Sequence, residues 1–173
     1  MGGTKMYDEL TEVDIKKMQE EIDHRVRVLR PQLIEEVQVT RAFGDLSENY
    51  EYKCAKQAKN RNESRIRYLE RMIRTAKVIE VKEGREDTVG LFDRVTVFNE
   101  MAKKEMVLQI VTTLRQDVLK GLISKESPVG KALVGRRVGD RVQVEVNPTL
   151  KYFMEIRAIE KGEDDESLEI SSY

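Results

Sequence analysis

A seven-residue apolar repeat occurs on two long segments, one on either side of residue 44, and constrains the fold more than any other feature. In the first segment Ile15, Ile22 and Leu29 follow the repeat, and in the second Ile66 and Ile73 follow it. Such repeats are typical of helices that pack side by side in a coiled coil. The sequence therefore predicts an antiparallel α-helical hairpin, with arms of about 30 residues and roughly 45 Å at 1.5 Å per residue.

The same segments carry signals for where the helices begin and where they are disturbed. Thr11, with the carboxylate of Asp14 three residues later, predicts a capped helix start. Proline removes a helix hydrogen bond, so a kink or short break is expected at residues 30–31. Lys59 and Asn62 interrupt the apolar repeat of the second arm, which predicts a weaker seam toward the turn.

An acidic tip is predicted at residues 44–49, where Gly44 breaks the helical pattern. Asp45 and Glu48 lie three residues apart, and two such carboxylates can share one Mg²⁺ that completes its shell with water and phosphate. A second interpretation is equally compatible with the spacing. Asp45 can cap the second helix while Glu48 reaches back toward it. The spacing alone leaves both roles open.

Charge is distributed unevenly between the two arms, although the formal net charge of the chain is −1. Residues 53–77 contain nine basic and two acidic residues, whereas residues 1–24 contain three lysines and seven acids. The arms should therefore attract each other and leave a positive surplus behind the tip. This surplus fits either a solvated face or a polyanionic partner such as RNA.

Cysteine, histidine and apolar content exclude several features: a disulfide, a membrane span and a zinc site are not predicted. A single cysteine, Cys54, excludes an internal disulfide, fits a reducing compartment and is expected in the helix seam. No apolar run approaches the length of a membrane span, and no signal peptide is visible. His24 has no Cys or His at ligand spacing, so no zinc site is predicted.

A change of pattern after residue 80 predicts a second domain, and the fold class is therefore α+β with two domains. Four alternating segments are predicted strands, at residues 94–98, 106–111, 141–146 and 152–159. Ser127 as cap, Pro128 at the first helical position and Gly135 at the end predict one short helix. The expected organisation is a hairpin at 1–80, a linker at 81–90, an antiparallel sheet domain at 88–160 and a disordered acidic tail at 161–173.

Two separated motifs resemble the bacterial transcript cleavage factors of the GreA and GreB family. The first is Gly44-Asp45-Leu46-Ser47-Glu48-Asn49 with Glu51-Tyr52, continued by Arg65-Ile66, Leu69-Glu70 and Ala76-Lys77-Val78-Ile79. The second comprises Gly121-Leu122-Ile123-Ser124, Ser127-Pro128-Val129-Gly130-Lys131-Ala132-Leu133 and Gly139-Asp140. Lys53 and Tyr50 depart from the family's usual histidine and small residue. The resemblance favours GreA-like over GreB-like members.

What this resemblance implies is a mechanism for restarting a stalled RNA polymerase. The C-terminal domain, similar to FKBP-type domains, would dock at the rim of the secondary channel, and the hairpin would enter it. Asp45 would bind a Mg²⁺ shared with the polymerase, and Glu48 would orient the attacking water or complete the metal shell. The basic residues behind the tip would contact the backtracked RNA, and Ser127 and Pro128 would contact the polymerase. The basic residues are Arg41, Lys53, Lys56 and Lys59.

The resemblance also implies that the isolated chain would be a cytoplasmic monomer that binds no cofactor by itself. It would have no nuclease activity of its own, and it would meet nascent RNA and DNA only within the transcription complex. Two alternatives remain. A related channel-binding protein could inhibit the polymerase without stimulating cleavage, although the acidic pair at 45 and 48 favours stimulation. A prolyl isomerase would need an aromatic-lined apolar pocket, which the few aromatics near Phe92, Phe98, Tyr152 and Phe153 do not predict.

Overall fold

The computed structural model describes residues 8–44, 49–81 and 85–172, which fall into two compact units. The N-terminal unit comprises Met1–Asp8 and Ile15–Ala76, and the C-terminal unit comprises Glu9–Asp14 and Lys77–Tyr173. Residues 9–14 and 77–80, which the sequence analysis assigned to the hairpin domain, therefore belong to the C-terminal unit. Among the described helices, none is long and apolar enough to cross a membrane.

Helices form most of the described N-terminal unit. Helix α1 spans Glu12–His24, a π-helical segment spans Arg25–Leu29, α2 spans Arg30–Arg41, and α3 spans Tyr50–Thr75. Of the kink or short break expected at residues 30–31, the break is absent, since helical backbone continues from the π segment into α2, with the Arg30 N–H donating to the Arg25 carbonyl. A wider turn just before Pro31 reduces the clash of its ring with the preceding turn.

Cross-arm hydrogen bonds show that the two arms run antiparallel. Arg65 pairs with Glu21, and Asn62 pairs with Arg25. Nearer the turn, Glu63 pairs with Arg30. At the turn, Asn49 donates to the Thr40 carbonyl, so the paired position on the second arm falls from 65 to 49 as that on the first rises from 21 to 40, as an antiparallel hairpin requires. The buried apolar residues of α3 are Ala55, Ile66 and Leu69, so the predicted seam is confirmed.

A five-stranded mixed sheet forms the centre of the C-terminal unit. Its strands are β3 (Arg94–Asn99), β4 (Lys104–Val111), β5 (Leu122–Ser124), β6 (Arg141–Glu145) and β7 (Lys151–Glu160), in the order β5-β4-β3-β7-β6. The four predicted strands are confirmed. The fifth, β5, was not predicted, and it pairs with β4 in parallel, so the sheet is mixed rather than wholly antiparallel.

Alternating burial along the strands places the core on one face of this sheet. Val95 and Val97 of β3 are fully buried, while Arg94 on the same strand is exposed. The short helix α4, Pro128–Leu133, contributes Leu133 to the same core. A Cβ at Gly130 would lie 2.1 Å from the Ser124 carbonyl oxygen, so the close approach of α4 to β5 requires glycine.

The N-terminal segment 9–14 completes the C-terminal unit. Strand β1, Glu9–Leu10, pairs in parallel with β2, Lys77–Val78. The side chain of Asp14 accepts a 2.6 Å hydrogen bond from Nε of Arg115, and both side chains are fully buried. Thr11 caps α1 as predicted: its Oγ1 accepts from the Asp14 N–H, and its own N–H donates to the Asp14 carboxylate.

The acidic tail is ordered over the described residues 161–172, contrary to the predicted disorder. Asp164 forms an ion pair with Arg115, whose Nη2 lies 2.6 Å from Oδ1 of Asp164, and the Ser171 N–H donates to the Leu114 carbonyl. Leu168 packs against a buried cluster that contains Phe92. The high charge of this segment predicted disorder. The prediction did not include the buried guanidinium of Arg115, which pairs with the charge of Asp164.

Candidate functional site at the hairpin tip

The first arm ends in a short turn that opens into solvent. Arg41 is the last residue of α2, and the N–H of Phe43 donates to the Thr40 carbonyl at 3.1 Å. Gly44 follows with φ of +123°, a backbone conformation that side chains other than glycine rarely adopt. A Cβ on Gly44 would meet nothing within 4 Å, so backbone conformation rather than crowding favours glycine here.

The second arm begins at Asn49, whose side chain makes two contacts. Its Oδ1 accepts from the Tyr52 N–H at 3.0 Å and thereby caps α3. Its Nδ2 donates to the Thr40 carbonyl at 2.6 Å and ties the two arms together. The proposal that Asp45 caps this helix is therefore wrong, because Asn49 occupies the cap position.

Asp45 and Glu48 lie outside the described residues, so their geometry stays a prediction. Across the described segments 8–44, 49–81 and 85–172, no group of three or more His, Cys, Asp or Glu side chains could hold a metal ion. The carboxylates of Asp45 and Glu48 suit the Mg²⁺ predicted from the sequence, because Mg²⁺ is bound through one or two carboxylates together with water and phosphate. The helix cap at Asn49 leaves both carboxylates without a required structural role in starting α3.

Three of the four predicted RNA-contacting residues are exposed at this end of the hairpin. Arg41, Lys53 and Lys56 are exposed, whereas Lys59 is half-buried and lies close enough to Glu63 to lower its pKa. The larger influence on Glu63 is Arg30, whose guanidinium donates two hydrogen bonds to that carboxylate at 2.7 and 2.9 Å and lowers its pKa. Lys59 therefore belongs in part to an ion-pair group within the hairpin.

Further from the tip, a polar group fills the seam that the sequence analysis expected to be weak. Arg25 and Arg65 both donate to the carboxylate of Glu21, and Asn62 exchanges hydrogen bonds with the side chain and carbonyl of Arg25. Burial alone would raise the pKa of Glu21, but hydrogen bonds from the two guanidinium groups and their charges lower it. Arg65 thus serves the seam, and its charge is not available to a polyanion.

Two aromatic side chains flank the tip and were not identified from the sequence as functional. Phe43 is 61% exposed and Tyr50 is 77% exposed. The pKa of the Tyr50 phenol is raised, chiefly by a hydrogen bond with the Cys54 side chain. Cys54 itself is exposed, so its predicted place in the seam is wrong. Their positions directly before and after the acidic motif at 44–49 are the sequence signal that could have identified both rings.

Ser127 and Pro128 have local structural roles at the start of α4. The Ser127 Oγ accepts from the Gly130 N–H at 3.0 Å and donates to the Ser124 carbonyl at 2.6 Å. Pro128 occupies the first turn of the helix and is exposed. These contacts confirm the predicted cap, while docking of a partner at these residues stays a prediction.

Among the described residues of the C-terminal unit, Phe92, Phe98 and Phe153 do not offer the open apolar ring faces that a prolyl isomerase would need. Phe92 is fully buried, with the Arg115 guanidinium 4.9 Å from its ring centre. Arg157 lies over Phe98 at 4.4 Å and Arg141 over Phe153 at 3.7 Å. A ring covered by a guanidinium is not an open apolar wall, so this arrangement disfavours the isomerase interpretation.

A helical hairpin joined to a mixed-sheet unit is a two-domain arrangement, and each part matches its own family model. Residues 9–78 match the family described as "Transcription elongation factor, N-terminal", and residues 84–161 match "Transcription elongation factor, GreA/GreB, C-term". These two matches define the class as a transcription elongation factor. The chain belongs to the GreA/GreB family.

Curated relatives agree with this assignment. The chain is 42% identical over 137 residues to the transcription elongation factor GreA of Thermoanaerobacter pseudethanolicus, covering 79% of this chain and 87% of that protein. It is 37% identical over 150 residues to GreA of Mesoplasma florum, covering 87% of this chain and 96% of that protein. The resemblance recorded from the motifs is thereby confirmed.

Solved structures with related sequences include two members from Thermus. The GreA factor homolog 1 protein of Thermus thermophilus is 28% identical, with 90% of this chain and 99% of that chain covered and a TM-score of 0.38. The corresponding protein of Thermus aquaticus is 26% identical, with 90% and 99% covered and a TM-score of 0.42.

Proposed function

We propose that this chain stimulates RNA polymerase to cleave a backtracked transcript, and that it acts by placing the hairpin tip beside the polymerase active site. The observation that carries the proposal is the cap of α3, which Asn49 supplies through its side chain. Asn49 caps α3, so Asp45 and Glu48 are not needed to begin the helix. Family membership supports the general setting of transcription elongation.

The proposed chemistry is hydrolysis of one phosphodiester bond near the RNA 3′ end. A second Mg²⁺, shared with the polymerase, would supply charge neutralisation and an activated water in the manner of two-metal phosphodiester hydrolysis. Asp45 would contribute a carboxylate ligand to that ion. Glu48 would accept a hydrogen bond from the attacking water and orient it. The chain would contribute half of a composite site, so it would have no nuclease activity alone.

Exposed cations behind the tip would hold the RNA. Arg41, Lys53 and Lys56 are exposed, and they would contact phosphate groups of the displaced strand. Lys59 would contribute less, because it is half-buried and its charge already acts on Glu63. The arm charges thus divide between RNA contacts near the tip and ion pairs further along the hairpin.

The C-terminal unit would dock at the rim of the secondary channel, in the cytoplasm, where bacterial transcription takes place. Pro128 is exposed at the start of α4, and Ser127 next to it would share the contact. Since one chain presents one tip, we propose that it acts as a monomer. Polymerase binding should therefore depend on this unit and survive changes at the tip.

The decisive experiment measures transcript cleavage in a stalled, backtracked complex against Mg²⁺ concentration for the unchanged protein, Asp45→Asn and Glu48→Gln. An amide is a poor ligand for a hard cation, so Asp45→Asn should cleave poorly at low Mg²⁺ and recover in part at high Mg²⁺. Glu48→Gln should lose less, because an amide oxygen can still accept a hydrogen bond from water.

Thermal unfolding and polymerase binding are the controls, and both should be unchanged in the two variants. Full activity of Asp45→Asn at low Mg²⁺ would remove the metal role. Stable binding to the polymerase without stimulation of cleavage by the unchanged protein would instead identify a channel-binding inhibitor.

A further inference from the structure

Exposed aromatic rings are confined to the tip among the residues that the structure describes. Phe43 and Tyr50 are the two exposed rings, and they stand on opposite arms just outside residues 44–49. The other described phenylalanines and tyrosines are buried or half-buried; they are Tyr52, Tyr68, Phe92, Phe98, Tyr152 and Phe153. An exposed phenylalanine ring is the kind of surface that a folded chain normally covers.

Guanidinium groups lie over three of the half-buried rings elsewhere in the described chain. Arg157 lies over Phe98, Arg141 over Phe153, and Arg71 over Tyr68 at 5.8 Å. Such contacts are favourable and keep a flat apolar face away from water. Phe43 and Tyr50 are left open to solvent although Arg41 and Lys53 lie only two and three residues away in sequence. Most of each side chain is therefore available to a flat ligand.

The cations near the rings indicate what kind of ligand this is. On the first arm Arg41 precedes Phe43, and on the second Lys53 follows Tyr50; both cations are exposed. An aromatic ring beside a cation is the combination that binds single-stranded nucleic acid, in which phosphates contact the cations and bases stack on the rings. Here the combination occurs once on each arm.

We propose that Phe43 and Tyr50 stack on unpaired bases at the 3′ end of the displaced RNA, and so position the strand for cleavage. This inference rests on the proposed function and adds to it the part of the substrate that is bound. Stacking uses the π-face that every base presents, so the contact tolerates any transcript sequence. The hydrogen bond from Asn49 to the Thr40 carbonyl joins the two arms close to both rings in sequence, and would limit their movement relative to each other.

A direct test places the fluorescent base 2-aminopurine at the 3′-terminal nucleotide of the RNA in a backtracked complex. All proteins carry Asp45→Asn to keep the RNA intact. Stacking on an aromatic ring quenches this base, so the parent protein should lower its fluorescence. Phe43→Leu with Tyr50→Leu should abolish the quench, whereas Phe43→Tyr with Tyr50→Phe should keep it. Val39→Ala, at an exposed apolar residue of the same arm, is the matched control and should keep it as well.

A second measurement compares cleavage of normal RNA with cleavage of RNA whose last two nucleotides lack bases, using proteins that retain Asp45. At subsaturating protein, the double leucine variant should reduce the cleavage rate of normal RNA by about fivefold or more for each ring lost. On the abasic RNA it should match the unchanged protein, because neither has a base to stack on.

A quench that persists in the double leucine variant overturns the proposal. An equal loss on normal and abasic RNA overturns it too, and assigns the rings to a protein surface in the polymerase. Failure of the proposed function looks different. In that case the unchanged protein does not stimulate cleavage, while the quench and its loss in the leucine variant still report base stacking.

Discussion

At the scale of single residues, Asn49 has two separable roles. As a cap it accepts a hydrogen bond from Tyr52, and as a tie it donates one to Thr40. Asn49→Ala should lose both and destabilise the hairpin by about 2 kcal/mol, since a cap and a hydrogen bond contribute roughly 1 kcal/mol each. Asn49→Asp keeps the cap acceptor and loses only the donor, so it should cost about half as much. Urea unfolding followed by helical circular dichroism measures both, and equal losses would contradict the separation.

The cap of α1 at Thr11 could be predicted from the sequence, whereas the cap of α3 at Asn49 could not. Thr11 and Asp14 satisfy each other within one turn, so their spacing alone was sufficient. At the tip, several residues that can cap lie within five positions, and local pattern cannot choose between Asp45 and Asn49. The choice depends on the carbonyl of Thr40 on the opposite arm, which no local pattern includes.

At the scale of the helix pair, the polar seam makes hairpin stability depend on pH. The pKa of Glu21 is lowered in the folded state: burial opposes ionisation, but hydrogen bonds from Arg65 and Arg25 outweigh it. A lowered pKa gives stability that is present above the unfolded value of about 4.3 and is lost as the pH falls through the folded value. Acid titration should therefore destabilise the hairpin below about pH 4.3.

The matched variant for this titration is Glu21→Gln, which removes the ionising group at similar size. It should be less stable than the unchanged protein at neutral pH and should lose less stability on acidification. Glu51, an exposed acid on the other arm, provides the control, since Glu51→Gln should leave the acid dependence as it was. A Glu21→Gln titration parallel to that of the unchanged protein would show that the seam charges contribute nothing.

The basic part of the second arm should act through salt-dependent contacts. Replacing Lys53 and Lys56 by alanine should weaken cleavage of long backtracked RNA and reduce its sensitivity to salt, because fewer phosphate contacts release fewer counterions. Lys59→Ala should have a smaller effect on salt sensitivity, since Lys59 is half-buried near Glu63. Cleavage measured from low to high salt tests this. An unchanged salt response in the double variant would make these lysines a solvated face.

The two arms illustrate which parts of an element a sequence can predict. The apolar repeat predicted the pairing of the helices because burial of Ile66 and Leu69 follows from periodicity. It gave no indication of the π segment or of the partner of Asn62. Both depend on the same carbonyl, that of Arg25, which accepts from Asn62 at 3.3 Å and from the Arg30 N–H. Predicting this contact requires the register between the two arms, which the apolar repeat does not give.

At the scale of the whole molecule, one buried cation holds distant parts of the C-terminal unit together. Arg115 binds Asp14, 101 residues earlier, and the Asp165 carbonyl, 50 residues later. Removing one partner of a buried ion pair typically costs about 3–5 kcal/mol. Asp14→Ala should therefore lower the unfolding temperature of the C-terminal unit strongly, even though residue 14 lies at the start of the chain. Near-ultraviolet circular dichroism on heating measures that loss.

The exposed acid Glu12 is a suitable control, because Glu12→Ala changes charge in the same helix turn without touching Arg115. An Asp14→Ala protein as stable as Glu12→Ala would show that the ion pair is dispensable. The sequence could not predict this group, because an aspartate in a capping position and an arginine in a short turn are both ordinary surface residues until the fold brings them together.

The distances along the chain between Arg115 and its partners also set an order of events during synthesis. The helical hairpin has all of its residues by position 76, so it can form while the rest of the chain is still inside the ribosome. The C-terminal unit has to wait, because Arg115 emerges about fifty positions before the tail carboxylate that it binds. During that interval Asp14 is its only described acidic partner. Among its described acidic partners, Asp14 is therefore the first that is available to Arg115 as the chain is made.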